Sequence, residues 1–189
     1  MRYGIAIIIV AFLAIVGTVV LFGRSNSSSN SKKTSRFTKL ADYESKDGSV
    51  VTMTQQGKLV GEDQRRAIRV TVTRTYRRVE ILDGYEERTE RSNDYPNTPD
   101  AYTTFSRALD HLSFGKERTV VQPDERAMCP LGNRFVYRLT NNSQEVMRTW
   151  SDTCSASDGP FAGTSASTVQ QLFRLQIPDY NLFTSSVQL

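Results

Sequence analysis

Eighteen uncharged, almost wholly apolar residues run from Ile5 to Phe22, and nothing comparable follows. A helix over them would be roughly 27 Å long at 1.5 Å per residue, close to the thickness of a bilayer's hydrocarbon core. Arg2 and Arg24 bracket the run, as suits a helix whose ends reach both interfaces. The competing reading is a cleaved signal peptide. Against it, the apolar core exceeds the usual ~7–15 residues and no A-x-A-like site follows. Residues 1–23 are therefore expected to form a retained transmembrane helix, with residues 5–22 in the lipid bilayer.

Residues 24–35 read Arg-Ser-Asn-Ser-Ser-Ser-Asn-Ser-Lys-Lys-Thr-Ser. Nothing in this stretch can enter a core, so it is expected to be a flexible Ser-rich linker with a reach of roughly 20 Å. The two sides of the apolar run carry unequal positive charge. Counting alone would place the C-terminal part in the cytoplasm. The cysteine pair argues the reverse, because disulfides persist in oxidising compartments. The expected address is the plasma membrane, single-pass through a signal anchor, with the domain of residues 36–189 outside.

The formal charge of +4 does not imply nucleic-acid binding. Four of the 24 basic residues (Arg2, Arg24, Lys32 and Lys33) precede Arg36, which leaves 20 against all 20 acidic residues. A formally neutral domain lacks the attraction that supplies nonspecific phosphate binding. No nucleic-acid partner is expected.

The domain of residues 36–189 is long enough for one ordinary core. Ser49 to Gln55 alternates Val51 and Met53 against Thr52 and Thr54. Ala67 to Tyr76 sets Ile68, Val70 and Val72 against Arg69, Thr71 and Thr73. Both patterns read as strands with one buried face. Val79 and Ile81 begin a third strand, ended by Asp83-Gly84. A turn at Tyr95-Pro96-Asn97 leads to a helix with Thr98 as N-cap, Pro99 in the first position and Asp100 at the positive end of the dipole. Its apolar stripe is Ala101, Phe105, Ala108, Leu109 and Leu112, and Gly115 stops it. Two strands follow, Arg134 to Thr140 and Gln144 to Trp150, joined at Asn141-Asn142. Ser167-x-x-Gln170 reads as a capping box for a last helix, and a tail with Tyr180, Leu182 and Phe183 packs back. The expected fold class is α+β, in the order β-β-β-α-β-β-α, with helices packed on an antiparallel sheet.

Cys129 and Cys154 are the only cysteines. If the last hairpin turns at Asn141-Asn142, paired positions sum to 283, as 140 and 143 do, and as 129 and 154 also do. That register sets the two thiols opposite each other at the hairpin's open end. Cys129 would share a face with Phe135, Tyr137 and Leu139, and Cys154 with Val146 and Trp150. A disulfide is expected. Zinc is not, since there is no C-x-x-C and His111 is the only histidine.

The chain carries few residues in catalytic arrangements. No H-E-x-x-H, G-x-S-x-G, Walker A or G-x-G-x-x-G pattern occurs. His111 reads as a helix residue near a C-terminal end, where a cation is favoured. Glu86-Glu87 and Asp124-Glu125 read as solvated surface. No catalytic residue, cofactor or metal is expected, so the chain is read as a non-enzyme. A second cluster gathers Arg65, Arg66, Arg69, Arg74, Arg77 and Arg78, followed by Glu80, Asp83, Glu86, Glu87 and Glu90. One reading is a basic strand face that docks a partner through Arg66, Arg69, Arg74 and Arg78. The other is charge pairing across neighbouring strands.

Ala127-Met128-Cys129-Pro130-Leu131-Gly132, followed by Trp150-Ser151-Asp152-Thr153-Cys154, resembles one stretch of the subtilisin-inhibitor family. There a Met-Cys-Pro loop leads into a hairpin closed by a disulfide. The resemblance covers residues 127–154, and the chain lacks that family's second disulfide. It implies a protease-binding loop at Pro130-Leu131-Gly132, with Leu131 presented to the protease. The layout as a whole resembles the uncharacterised single-pass tethered envelope proteins of small-genome bacteria, which implies an address and no activity.

The function expected from the sequence is a membrane-anchored, surface-exposed binding or structural module of the cell envelope. Its partner would be an envelope protein or polymer. The alternatives are a protease inhibitor using Pro130-Leu131-Gly132, and an envelope enzyme of unrecognised type.

Overall fold

The computed structural model describes residues 39–121, 124–154 and 159–189. The expected transmembrane helix and linker lie outside the described residues. Among the described residues no helix is long and apolar enough to cross a membrane.

Six strands are formed: β1 (Ser49–Gln56), β2 (Arg66–Val72), β3 (Tyr76–Asp83), β4 (Arg88–Pro96), β5 (Arg134–Asn141) and β6 (Gln144–Asp152). They make one sheet in the order β4-β3-β2-β1-β5-β6, antiparallel throughout. Three helices complete the domain: α1 (Pro99–His111), α2 (Ala166–Arg174) and α3 (Tyr180–Thr184). The α+β class stands. The order differs from expectation by a fourth strand before α1 and a short third helix after α2.

Alternation decides which face is buried. Val51 and Met53 on β1 stand beside Val72 and Val70 on β2, and beside Leu139 and Tyr137 on β5. Val79 and Ile81 extend the layer onto β3. The helices cover this face. Tyr102, Phe105 and Leu109 of α1, Val169 and Phe173 of α2, and Tyr180 and Phe183 of α3 all belong to the same buried cluster. Leu182, expected to pack back with them, stays exposed. At the centre the Phe173 ring meets Phe105 edge-on at 5.2 Å, and Phe114 meets Tyr137 at 5.6 Å.

Several boundaries move, each for a local reason. The stretch from Ala67 to Tyr76 is not one strand. The Thr73 hydroxyl accepts the amides of Thr75 and Tyr76 and folds the chain into a hairpin between β2 and β3. Thr98 caps α1 as expected, accepting the Ala101 amide at 3.2 Å. The helix ends at His111, with Leu112 as its C-cap, ahead of the expected stop at Gly115. Ser113 takes the left-handed conformation (φ 54°), and the Phe114 amide returns to the Leu109 carbonyl at 3.1 Å, which closes a Schellman turn. The cap of α2 is Ser165, two residues earlier than expected; its side chain accepts from the Thr168 amide.

The last hairpin corrects the register argument. Asn142 and Ser143 hold the two positive-φ turn positions, and a shift follows between Leu139 and Thr140. Paired positions then sum to 286, as in Phe135 with Ser151 and Val136 with Trp150. Trp150 therefore shares Val136's face, opposite Tyr137, and not the helix face expected for it. Cys129 and Cys154 are nevertheless joined, with Cα atoms 5.7 Å apart. The register alone would set residue 132 opposite Cys154. The chain instead doubles back at Cys129 (φ 46°), and the Gly132 amide donates to the Cys129 carbonyl. A Cβ on Gly132 would lie 2.6 Å from the Cys129 Sγ. The bridge occupies the space that a side chain there would need.

Burial pushes the phenols of Tyr137 and Tyr102 up to about 12. The fold favours the neutral phenol. The stability they lend is complete below pH 10, the unfolded value, and is lost as pH rises through about 12. An ultraviolet titration of the eight tyrosines is expected to show a late-ionising group coincident with alkaline unfolding. Ionisation of every tyrosine near pH 10 in a still-folded chain would refute this.

Candidate interaction surface at one end of the sheet

Three loops meet at the Gln56 end of the strands: residues 57–65 after β1, 84–87 after β3, and 124–133 before β5. The chain reaches β1 from the other end, where the Asn142 amide donates to the Gly48 carbonyl. An eight-residue strand separates the two ends by about 26 Å.

The three loops are tied to one another. The Leu59 amide donates to the Pro130 carbonyl at 2.9 Å. The Tyr85 hydroxyl donates to the Val60 carbonyl at 2.9 Å, and the Tyr85 amide donates to Glu62. Arg134, 2% exposed, reaches beneath them and donates to the carbonyls of Met128 and Gly57. Arg65, also buried, stacks its guanidinium 5.1 Å from the Tyr85 ring centre. Desolvation holds both guanidiniums below the ordinary arginine pKa, and Arg65 lowers Arg134 further. The last tie is the disulfide behind residues 129–132.

On this braced base stand four apolar side chains open to solvent: Leu131 at 82%, Tyr85 at 46%, and Leu59 and Val60 at 38% each. Pro130 and Leu131 form the tip of the turn closed by the Gly132 amide. Of these residues, sequence reasoning singled out Pro130, Leu131 and Gly132. It missed Leu59, Val60, Tyr85 and Arg134. An aromatic directly after Asp83-Gly84 was a legible signal for Tyr85. Arg134 carried none, because burial of an arginine is decided by loops distant in sequence.

The four arginines proposed as a docking face lie in separate places. Arg69 and Arg78 stand on the face away from the helices, where Arg69 pairs with Glu87 and Arg78 with Asp94. Arg66 stands on the helix side, between Asp83 and Glu90, each at 2.7 Å. Arg74 sits at the β2–β3 turn and pairs with Asp47 at 2.8 Å. All four have carboxylate partners, but only Arg66 with Asp83 and Arg78 with Asp94 pair across neighbouring strands; Glu87 and Asp47 lie in turns. Glu125 corrects the surface reading of Asp124-Glu125: it is 4% exposed and bound to Arg148. Asp124 is held down to about 2 by the hydrogen bonds of Arg126.

Cys129, Cys154 and Asp152 bring three ligand-type atoms within 4.8 Å. The sulfurs are bonded to each other, so no thiolate is left to bind a metal, and Asp152 accepts the Cys154 amide at 2.8 Å. Two clefts are lined by charged side chains, the first of them bordering the 57–65 loop at Val60. One of about 680 Å³ lies on the helix side, between Lys58, Asp63, Arg66, Glu90 and Arg91. The other, about 640 Å³, lies beside the last turn of α1 and includes His111. No protein-family model matches this chain, and no curated protein matches it either.

Proposed function

We propose that this chain is a binding module of the cell envelope, tethered by residues 5–22 with its domain outside, and that it docks a partner through Leu131, Tyr85, Leu59 and Val60. One observation carries the reading: four exposed apolar side chains stand on loops tied together by hydrogen bonds and a buried arginine, one of the loops also fastened by the disulfide to the chain after β6. Apolar groups on a rigid base lose little conformational freedom on docking, which favours binding over a mobile loop. The disulfide supports an oxidising compartment, and the apolar run supports the anchor. Thiol-reagent labelling of intact cells tests the address. Labelling of Cys129 and Cys154 is expected only after a reductant is added, without lysis. Labelling that needs lysis and no reductant overturns it.

The second reading is a protease inhibitor. Leu131 is the most exposed of the four side chains and is braced by Cys129, which favours it. A hydrogen bond across Cys129–Gly132 weighs against it, because proteases take substrate as an extended strand. Incubation with a subtilisin-type protease separates the two. Unimpeded hydrolysis of a reporter peptide is expected; inhibition at an equimolar ratio would favour the inhibitor.

A further inference from the structure

A cationic cleft lies beside the last turn of α1. Lys39, Arg107 and Lys116 line it, together with His111 and Ser113. The one carboxylate in the lining, Asp110, is engaged: its two oxygens accept the amides of Leu40 and Ala41, each at 2.8 Å. Arg107 pairs with Glu44 at 3.0 Å. No carboxylate among the described residues lies within ion-pair distance of Lys39 or Lys116. Both lysines are exposed. The cleft thus presents two free ammonium groups around a carboxylate that the backbone already occupies.

Its position in the chain gives it a partner. Lys39 follows closely on the Ser-rich stretch of residues 24–35 in the sequence. Sixteen residues, 23–38, separate Lys39 from Phe22 at the end of the apolar run. Covalent confinement on that scale gives a high effective concentration, so contacts too weak to hold a free protein suffice. We propose that the cleft at Lys39 and Lys116 is a docking surface for the phosphates of anionic lipid headgroups, resting the domain against the bilayer that anchors it. This rests on the reading of residues 5–22 as a membrane anchor. Each basic residue near an anionic surface is worth about a fivefold change in association, and the effect falls as salt screens it.

The test uses the full chain in nanodiscs of phosphatidylcholine alone or with phosphatidylglycerol, each doped with a headgroup-nitroxide lipid. The readout is paramagnetic broadening of backbone amide resonances. Broadening at residues 39–41 and 113–116 is expected in the anionic discs only. It should vanish at high salt and in the double variant Lys39→Glu with Lys116→Glu, both exposed positions whose change leaves the core intact. Equal broadening in both discs, or broadening centred on residues 57–65 and 128–133, overturns the proposal. So does inorganic phosphate that moves the same amides to the same extent, since it would make the cleft a free-phosphate site. A chain that fails to enter neutral discs refutes the anchor instead. Flotation with anionic vesicles then decides the cleft: binding lost in the double variant supports it, and binding unchanged overturns it.

Discussion

Replacing both cysteines, Cys129→Ser with Cys154→Ser, is expected to cost about 3.5 kcal/mol of unfolding free energy. The bridge joins positions separated by 25 residues, and a loop of that size loses about this much entropy when cross-linked in the unfolded chain. The double variant is the right comparison. A single replacement would leave one thiol facing Gly132, which now packs against both sulfurs. Urea titrations of oxidised wild type and variant measure the effect, and the melting temperature should fall by about 10 °C at roughly 2–4 °C per kcal/mol. The turn at Leu131 should loosen with it, since the bridge anchors one side of that turn. A loss under about 1 kcal/mol would mean that Arg134 and the Gly132 turn already hold the loop in the unbridged chain, beyond what the loop-closure model allows.

Phe173→Ala is expected to cost about 3–5 kcal/mol, a large share of the ~5–15 kcal/mol that holds an ordinary domain together. Phe173 is fully buried. It stands among three rings, Phe105 at 5.2 Å, Phe114 at 6.1 Å and Tyr137 at 6.3 Å. Those rings belong to α1, to the segment after it, and to β5. Truncation therefore opens a cavity at the junction of α1, α2 and the sheet, and the rigid strand below cannot collapse into it. Phe173→Leu keeps much of the volume and should cost under about 1.5 kcal/mol. Urea midpoints followed by near-ultraviolet circular dichroism give both numbers. Equal losses for the two substitutions would show that the ring geometry, rather than the volume, supports the core.

The contrast between β2 and β4 shows where the sequence was legible. In β2 the alternation of Ile68, Val70 and Val72 with Arg69 and Thr71 marks one buried face, and that face is the observed one. β4, Arg88–Pro96, has no such pattern and is exposed along nearly its whole length. It is held by backbone hydrogen bonds to β3 at an edge of the sheet. Its charges suit that position, since they discourage pairing with another chain. Backbone pairing leaves no trace in side-chain periodicity, so the sequence predicts only the turn at Tyr95-Pro96-Asn97 in this stretch. The candidate surface was half legible. Leu131 was found through the cysteine beside it, whereas Leu59 and Val60 gain meaning only from the Pro130 carbonyl and the Tyr85 hydroxyl that hold them in place.

The pairing of Cys129 with Cys154 was expected for a geometric reason that the structure replaces. The hairpin turns one residue later than assumed and then shifts register, which moves Trp150 to the opposite face. The bridge survives because Cys129 lies outside the strand, in a turn free to fold back. Two cysteines in one chain can pair in one way only, and so the outcome tolerated an error in the path.

The sequence by itself determined the α+β class, the buried faces of β1 and β2, and the cap of α1, because each depends on residues within a few positions of one another. Tertiary structure decided which arginines are buried, which carboxylates they meet, and which apolar side chains remain in solvent. Those outcomes depend on which loops the sheet's connections bring together at one end, and free energy from such distant contacts has no signature along the chain.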